Sequence, residues 1–498
     1  MTASQADFQE VTQKVKNKKK HSQKIGANQG CAADGPRPKK INASTPFDFS
    51  GKNLTAYGGL LPVATQLEKI GFRGLLEQTL KVTRVTRVME AYQFILAMLL
   101  GMYVGFSRLN QLRFVAHDPI LTGILQVKQL PPQSTLWRFL AALHGSVAGQ
   151  ILKLQGALRE RVWAAANVQL STVTLDTDTT VHTLYGKQFG ARKSYNPKNR
   201  GKKSYQPILT FLAETREFIA GQLRNGDRPS GAQIAAHLRT VFQLLPAVVV
   251  QVFARADSGF YCWEAVQAYE QFRCQFIVVA RKTSRLVEQL QLVAWKPSPK
   301  TDADEECEFC YQPEGWGRAY RFVALRYAQL PPASPDGEAE QYQLFETADY
   351  VYRVFVTNLN EPIWWAVWFY NRRAGAENLI KEANNDAGLA THPSGRWATN
   401  CVHFQLVMLA YNLNCWLLLF NRAEAAKTDD LKHTTLAMAR LRFLFVAAKI
   451  WRHSGRVGIR YSDQYQEKGL LQQLMDRLRK ITAGPIGFLP VLATPLSG

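Results

Sequence analysis

The sequence has few cysteines, and their pattern excludes a disulfide-stapled secreted protein. Seven cysteines, an odd number, are scattered along 498 residues without the regular spacing of a disulfide framework. We therefore expect a reducing, cytoplasmic environment. Cys307 and Cys310 form a single CxxC without a second pair of ligands, so a structural zinc site is not predicted.

Long apolar runs are also missing. Residues 92–106 are too few to cross a bilayer, which requires roughly 20 apolar residues. Residues 404–420 contain Gln405, Asn412 and Asn414, amides that lipid cannot satisfy. Both stretches are predicted to be core helices. No apolar segment follows the first charges of the chain, so we expect neither a secretory signal nor a membrane partner.

Familiar catalytic motifs are absent, whereas positive charge is abundant. The sequence has no Walker phosphate loop, no GxGxxG after a strand, no HExxH and no GxSxG. Lysine and arginine number 61 against 39 acids, a net charge of +22. A chain this basic is expected to bind nucleic acid or another polyanion through counterion release.

Composition and periodicity divide the chain into six predicted segments. The short helices predicted from about residue 50 to 168 are typical of a DNA-binding domain. The same spacing of apolar residues also fits an ordinary helical bundle, and both interpretations stay open. The segments are a basic flexible arm (1–45), a helical DNA-binding domain (46–168), the first part of a catalytic core (169–281), a β-rich insertion (282–362), the second part of the core (363–425) and a basic C-terminal region (426–498).

Individual elements follow from the spacing of apolar residues. Ser134 is predicted to cap a helix over 135–143. Helices are predicted over 60–76, 91–104, 109–115, 136–168, 231–244, 263–272 and 364–389, and strands over 172–179, 206–213, 218–223, 247–254, 275–280, 320–326 and 350–357, with a loop at 331–340.

The order βββαβαβ from residue 172 matches an RNase H-like sheet, although other α+β folds share it. We predict a mixed α+β fold in which helical N- and C-terminal regions flank a catalytic core that a β-rich insertion interrupts.

Two groups of aspartates end predicted strands. Asp176 and Asp178 lie two residues apart, on one face of the strand over 172–179. Asp257 follows a β-branched strand, where open α/β sheets place their sites. Aspartates are common in surface turns. Either group alone would therefore not indicate a site. Two such groups at strand ends of one basic protein instead favour a site for divalent cations, which prefer oxygen ligands.

A third acid is predicted on a helix. Tyr370, Arg373, Glu377, Lys381 and Asn384 fall within about 40° of one line along a helix of 100° per residue. Ion pairs on a solvated helix face would explain this stripe by itself. Together with the two aspartates, the stripe instead suggests a metal ligand, Glu377, between cations that grip phosphates.

These motifs resemble those of the DDE transposases of bacterial insertion sequences. The matching residues are Asp178 in LDTDTT, Asp257 in RADSGF and Glu377 in a Tyr-x2-Arg-x3-Glu helix. The resemblance is to the group with an RNase H-like, retroviral-integrase-type core and a β insertion before the glutamate. It extends over about residues 50–460 and includes YNPKNRGKKSYQP at 195–207. One departure is Asn384, which occupies the position of the signature lysine; Lys381, one turn earlier, is the candidate replacement.

The resemblance implies a mechanism and partners. Asp178, Asp257 and Glu377 would be catalytic and bind two Mg²⁺, for which Mn²⁺ substitutes. Tyr370 and Arg373 would hold phosphates. The family also implies a homodimer that joins both terminal inverted repeats in a synaptic complex, cuts and pastes the element into target DNA, and works in the bacterial cytoplasm at the nucleoid. Two further implied roles are support of the ligands by Asp176 and stacking of Trp316 on a flipped base.

The connection over 185–205 indicates DNA contact independently of the resemblance. It contains no acid and places three tyrosines between cations, a combination suited to phosphate contact and base stacking. A solvated basic loop is the alternative. The cations are Lys187, Arg192, Lys193, Lys198, Arg200, Lys202 and Lys203, and the tyrosines are Tyr185, Tyr195 and Tyr205.

Two other functions stay open from the sequence. Asp176, Asp178 and Thr180 also match the Asp-x-Asp-x-Thr nucleophile motif of haloacid-dehalogenase-type phosphotransferases. No later Gly-Asp-x-x-x-Asp pair accompanies it, and a small substrate does not explain the charge. The other alternative is a DNA-binding descendant of a transposase that no longer cuts, which Asn384 would permit.

Overall fold

A computed structural model describes residues 40–82, 89–194, 196–197, 199–328, 345–346, 350–422, 431 and 433–481. Residues 1–39 of the basic arm predicted over 1–45, together with Tyr195, Lys198 and the loop at 331–340, lie outside these residues. The chain divides into two compact units, residues 1–51 and 52–498. In the first unit, Asn42 closes a turn by accepting the backbone N–H of Ser44 at 3.0 Å.

The second unit contains all the helices and strands described below. Its α-helices are α1 (Leu60–Lys69), α2 (Phe72–Thr79), α3 (Ala91–Val104), α4 (Pro119–Leu125), α5 (Gln133–Ala141), α6 (Ser146–Ala165), α7 (Gly231–Gln243), α8 (Trp263–Gln271), α9 (Ser284–Leu292), α10 (Ile363–Asn371), α11 (Ala374–Asn385), α12 (Trp397–Asn421), α13 (Leu436–Ala439) and α14 (Lys468–Lys480). Short 3₁₀ helices span Leu109–Val115 and Ser258–Phe260, and a π-helical turn spans Arg440–Leu444.

The strands are β1 (Leu54–Thr55), β2 (Thr172–Thr179), β3 (His182–Leu184), β4 (Lys203–Tyr205), β5 (Ile208–Leu212), β6 (Phe218–Gln222), β7 (Gln251–Ala256), β8 (Gln275–Val279), β9 (Lys296–Pro297), β10 (Glu305–Tyr311), β11 (Tyr320–Tyr327), β12 (Phe345–Glu346), β13 (Val351–Thr357), β14 (Ala448–His453) and β15 (Arg456–Tyr461).

A ten-stranded mixed sheet forms the centre of the fold. Its order is β6-β5-β2-β7-β8-β13-β11-β10-β9, with β12 paired to β13. β2 is antiparallel to β5 and parallel to β7, and β7 is parallel to β8. The predicted mixed α/β class is confirmed. The predicted β-rich insertion supplies β9 to β13, and these strands extend the same sheet because β13 pairs with β8.

Both faces of this sheet are buried, as the alternation along β8 shows. Phe276 and Val278 lie in the main core, beside Tyr269 of α8. Ile277 and Val279 point to the opposite face, where they pack in a second cluster under α10. Since successive side chains of a strand point to opposite faces, helices are needed on both sides.

Helix α12 is the central helix of the unit. It is long and apolar enough to cross a membrane, but its most apolar stretch is wholly buried inside the protein. Gln405 and Asn412 are hydrogen-bonded there, as predicted for a core helix, whereas the amide of Asn421 at the end of the helix is buried without a partner in the described structure. Asn412 accepts the N–H of Phe218 at 2.8 Å and donates to Gln155 of α6 at 2.9 Å, and Gln405 donates to the carbonyl of Gly221 at 2.8 Å. The N-terminal helices, α12 and the sheet therefore share one continuous core.

Several predicted boundaries are wrong. The helix predicted over 60–76 breaks at Gly71, whose φ of 68° is left-handed. The helix predicted over 136–168 is two helices, α5 and α6. Ser134 is not a cap, because α5 begins at Gln133 after Pro132. The strand predicted over 247–254 is shifted to Gln251–Ala256, because the preceding residues form a turn.

Candidate active site

The candidate site lies where two neighbouring parallel strands end. β2 and β7 run in register as far as Thr177 opposite Ala256. The next residues are Asp178, which still lies within β2, and Asp257, which directly follows β7, on neighbouring strands whose backbones lie about 4.7–4.9 Å apart. Asp257 also accepts the backbone N–H of Gly259 at 3.0 Å, which holds its carboxylate at the turn. The structure thus brings the two predicted aspartates to one edge of the sheet.

Arg373 connects the third predicted acid to this pair. Its guanidinium donates to Asp178 at 2.6 Å and lies 3.4 Å from Glu377. The side chain of Arg373 is 8% exposed, whereas that of Glu377 is 50% exposed. The Nε of Arg373 is buried and has no hydrogen-bond partner in the described structure.

The helix that carries these residues is interrupted, which corrects the single helix predicted over 364–389. α10 ends at Asn371 and α11 begins at Ala374. At the junction the N–H of Arg373 donates to the carbonyl of Tyr370, three residues back, at 2.8 Å. The turn directs Arg373 toward the strands and leaves Glu377 in the first turn of α11, where the helix dipole favours a carboxylate.

The electrostatics of the cluster follow from its burial. Burial raises the pKa of Asp178 to about 7; the Arg373 guanidinium opposes this rise, and the charges of Asp257 and Glu377 add to it. Burial by itself would lower the pKa of Arg373, but the neighbouring Asp178, Tyr370 and Asp257 hold it well above its usual value. The site therefore concentrates negative charge around one buried cation.

The chemistry of this donor set fits a hard divalent cation. Within the part of the chain that the structure describes, no group of three or more His, Cys, Asp or Glu side chains is arranged to hold a metal ion. Arg373 occupies the space between Asp178 and Glu377. The carboxylate oxygens available are nevertheless the ligands that Mg²⁺ prefers.

Asp176 belongs to a separate, structural ion pair. Arg255 donates to both of its carboxylate oxygens, at 2.7 and 2.8 Å, and both side chains are 2% exposed. Arg255 also donates to the carbonyl of Phe369 at 2.9 Å. The pair therefore ties β2, β7 and α10 together behind the site. Since a guanidinium engages both oxygens, this geometry does not favour Asp176 as a phosphatase nucleophile.

Two aromatic side chains predicted to contact DNA are buried. Tyr370 is 7% exposed, packs on Phe355, and has its pKa raised by burial. Trp316 is 8% exposed and lies against Tyr261 and Trp263 in an aromatic cluster. Stacking of Trp316 on a base would require this cluster to open. Lys381, in contrast, is exposed on α11.

The basic connection begins after β3 and ends with β4, and these two strands pair as a two-stranded sheet. Tyr185 and Phe189 are 80% and 74% exposed, whereas Tyr205 is buried and donates to the carbonyl of Phe189. Tyr205 is therefore not available for stacking. Six of the predicted cations are described and exposed: Lys187, Arg192, Lys193, Arg200, Lys202 and Lys203.

A cavity of about 620 Å³ adjoins this connection. It lies between the N-terminal helices and the core, and its walls include Arg108, Gln133, Tyr185 and His392.

Comparison with known proteins identifies the family. Residues 38–483 match the family model described as "Transposase DDE domain group 1". The chain belongs to the DDE transposase family. No curated protein matches this transposase. Among solved structures, the cryo-EM structure of a piggyBac transposase synaptic complex with hairpin DNA is similar to it, with a TM-score of 0.40 and 11% identity over 89% of this chain and 87% of that chain.

In this transposase, Asn384 joins a hydrogen-bond network that sequence reasoning missed. Its amide donates to Thr180 at 3.1 Å, and its Oδ1 lies 2.9 Å from Nε2 of His182. Nδ1 of His182 lies 3.1 Å from Nε2 of His392. Burial lowers the pKa of His182 to about 4 and that of His392 to about 2, so both are neutral at pH 7. Asn384 thus connects α11 to the segment that follows Asp178.

Replacement of Asn384 by lysine is expected to destabilise the transposase rather than restore a lost function. An ammonium has donors but no acceptor, so the His182 N–H would lose its partner beside imidazoles that burial keeps neutral. We expect a loss of about 1–3 kcal/mol in the free energy of unfolding, measured with urea, and no gain in DNA cutting. Asn385→Lys, at the exposed next position, is the control and should change stability by less than about 0.5 kcal/mol. Faster cutting by Asn384→Lys at unchanged stability would contradict this role.

Proposed function

We propose that this transposase binds the terminal inverted repeats of its own insertion sequence and catalyses metal-dependent cutting and strand transfer at their ends, by a cut-and-paste route. The observation that carries the proposal is the meeting of Asp178 and Asp257 at adjacent strand ends with Glu377 linked to them through Arg373. Paired carboxylates at the ends of parallel strands suit phosphodiester chemistry.

The order of the first five strands of the central sheet, β2, β5, β6, β7 and β8, supports an RNase H-like core. β2, β5 and β6 form an antiparallel set in sequence order, and β7 and β8 follow in parallel on the other side of β2. This places Asp178 on the first, central strand and Asp257 directly after its parallel neighbour. The helix with Glu377 follows the inserted strands β9 to β13.

Different side chains of the site would bind the metal ions, bind the phosphate and support the site. Asp178, Asp257 and Glu377 would hold two Mg²⁺ or Mn²⁺ ions. When bound, these cations supply the Lewis acidity that activates water or a DNA 3′-hydroxyl and neutralises the attacked phosphate. Arg373, released from Asp178, would turn its guanidinium to a phosphate, with which it can form two parallel hydrogen bonds. Asp176 and Arg255 would keep β2 and α10 in place.

Several exposed features would guide DNA into the site. The six cations of the 185–205 connection would contact phosphates, with Tyr185 available to stack on a base. Lys381 would contact phosphate from α11, and Tyr370 would support Arg373 from behind. We further propose that the helices of 46–168 read the terminal repeats, that two copies join both ends in a synaptic complex, and that the reaction takes place in the bacterial cytoplasm.

A gel assay of the purified protein on the DNA that flanks its own gene tests this function. We expect cutting at the element ends with Mn²⁺ or Mg²⁺, and none with EDTA. Binding without cutting under any condition would instead indicate a non-cutting descendant. Hydrolysis of p-nitrophenyl phosphate without cutting of DNA would indicate the phosphotransferase.

A further inference from the structure

A basic β-hairpin lies far along the chain from the site residues. β14 and β15 pair antiparallel with Lys449 opposite Arg460 and His453 opposite Arg456. From Ala448 to Tyr461 the sequence contains four lysines and arginines and no acid. Ser454 and Gly455, with φ of 48° and 74°, form the tight turn that matches strand twist. The hairpin is therefore a regular two-stranded ribbon of a single sign of charge.

One face of this hairpin is attached to the rest of the unit. Ile450 is 6% exposed, and its backbone N–H donates to the carbonyl of Asn53 at 2.8 Å. The hydroxyl of Tyr461 donates to the carbonyl of Gly58 at 3.0 Å. β14 also pairs with β1. These bonds attach the base of the hairpin to the rest of the unit.

The opposite face carries cations around a tryptophan. Because side chains alternate along strands, Lys449, Trp451 and His453 share a face with Arg456 and Arg460. Trp451 pairs with Gly458, and a methyl group at Gly458 would overlap the indole, so the ring lies across the partner strand. It remains 39% exposed.

We propose that this face of the β14–β15 hairpin is a second DNA-contacting surface of the transposase, which binds the phosphate backbone of a duplex. The inference rests on the proposed function, since it assigns a further contact to the same DNA. A two-stranded ribbon fits the major groove, which is about 12 Å wide. Lysine and arginine side chains that flank an exposed indole combine phosphate contact with an apolar contact.

Protection of a sheet edge does not account for this pattern. Charges on an edge strand prevent pairing with other chains, and β15 is such an edge. However, Lys449 lies on β14, which is paired on both sides, and the exposed Trp451 would favour association rather than prevent it. A positively charged surface around a central tryptophan instead complements a polyanion such as DNA.

The test is the salt dependence of DNA binding. A fluorescein-labelled 30-bp duplex of mixed sequence is titrated in EDTA, which prevents cutting, with the full-length protein and with Lys449→Gln/Arg456→Gln/Arg460→Gln. Loss of three phosphate contacts should make the negative slope of log K against log salt shallower by about 2–3. It should also weaken binding roughly 10²-fold at 0.15 M salt. Trp451→Ala should weaken binding several-fold at an unchanged slope, because an apolar contact releases no counterions.

The matched control removes three other exposed charges. Arg239→Gln/Arg273→Gln/Arg285→Gln alters α7 and the ends of α8 and α9 and should leave the slope within about 1 of wild type. Circular dichroism verifies that each variant is folded, and Arg456→Gln next to the turn replaces the triple variant if it is not. Wild-type affinity and slope in the folded hairpin variant, with DNA cutting intact, would overturn this inference alone. A wild-type protein that binds no duplex would overturn both it and the proposed function.

Discussion

Asp178→Asn is expected to abolish DNA cutting by the transposase, with a loss of at least about 10³-fold, equivalent to about 4 kcal/mol of transition-state stabilisation. The amide retains the shape of the side chain but cannot carry the negative charge that a catalytic cation requires. DNA binding should be unchanged or slightly tighter, because Arg373 loses its shorter ion pair, keeps only the longer one to Glu377, and is more available to contact phosphate. Cutting is measured on the flanking DNA with Mn²⁺, and binding on the same DNA in EDTA.

The controls for this prediction use other carboxylates. Asp257→Ala and Glu377→Ala should lose cutting to a similar extent and keep binding, since all three belong to one site. Asp476→Asn, exposed on α14, should cut at the wild-type rate. If Asp257→Ala cuts as well as wild type, the site assignment is wrong. Parallel loss of binding and cutting in Asp178→Asn would indicate a folding defect instead.

Glu217→Ala is expected to lower the free energy of unfolding by about 3–5 kcal/mol, because it leaves a buried charge without its partner. Glu217 and Arg159 are both 0% exposed and lie 2.9 Å apart. The same carboxylate accepts the indole N–H groups of Trp163 and Trp416, at 2.7 and 2.6 Å. One side chain thus joins α6, α12 and the start of β6. Urea unfolding followed by far-UV circular dichroism measures the change.

A surface ion pair provides the comparison. Arg285 and Glu314 lie 3.1 Å apart with 65% and 75% of their side chains exposed. Glu314→Ala should change stability by less than about 1 kcal/mol, because water screens exposed pairs. The double variant Arg159→Met/Glu217→Leu should be more stable than Glu217→Ala, because no unpaired charge stays buried. Equal losses in the single and double variants would show that the indole contacts, not the charge, dominate.

Local spacing predicted much of the fold correctly. The strand over 172–179 and the helix over 91–104 have the bounds predicted from their apolar patterns. The apolar patterns of these two elements are strong because each element is buried along most of its length. Asp178 and Asp257 were placed near neighbouring strand ends for a similar reason, since the end of an apolar run marks the end of a buried strand.

The errors concern contacts between distant parts of the chain. Asp176 was expected to support the metal ligands, but its ion-pair partner Arg255, 79 residues away, was not foreseen. Asn384 was considered only as a missing lysine, whereas its partners are Thr180 and His182. The break before α11 was also missed, because helical periodicity continues through Arg373 while its guanidinium turns to Asp178.

The sequence by itself determined the basic character of this transposase and the types of its strands and helices, because composition and short-range periodicity encode these properties, and its motifs predicted the three acids of the candidate site. Only the tertiary structure decided that β9 to β13 extend the central sheet, that Arg373 lies between Asp178 and Glu377, and which cations share a surface on the β14–β15 hairpin. The physical reason is that pairing and burial depend on residues brought together from far apart in the chain, and local spacing contains no record of those partners.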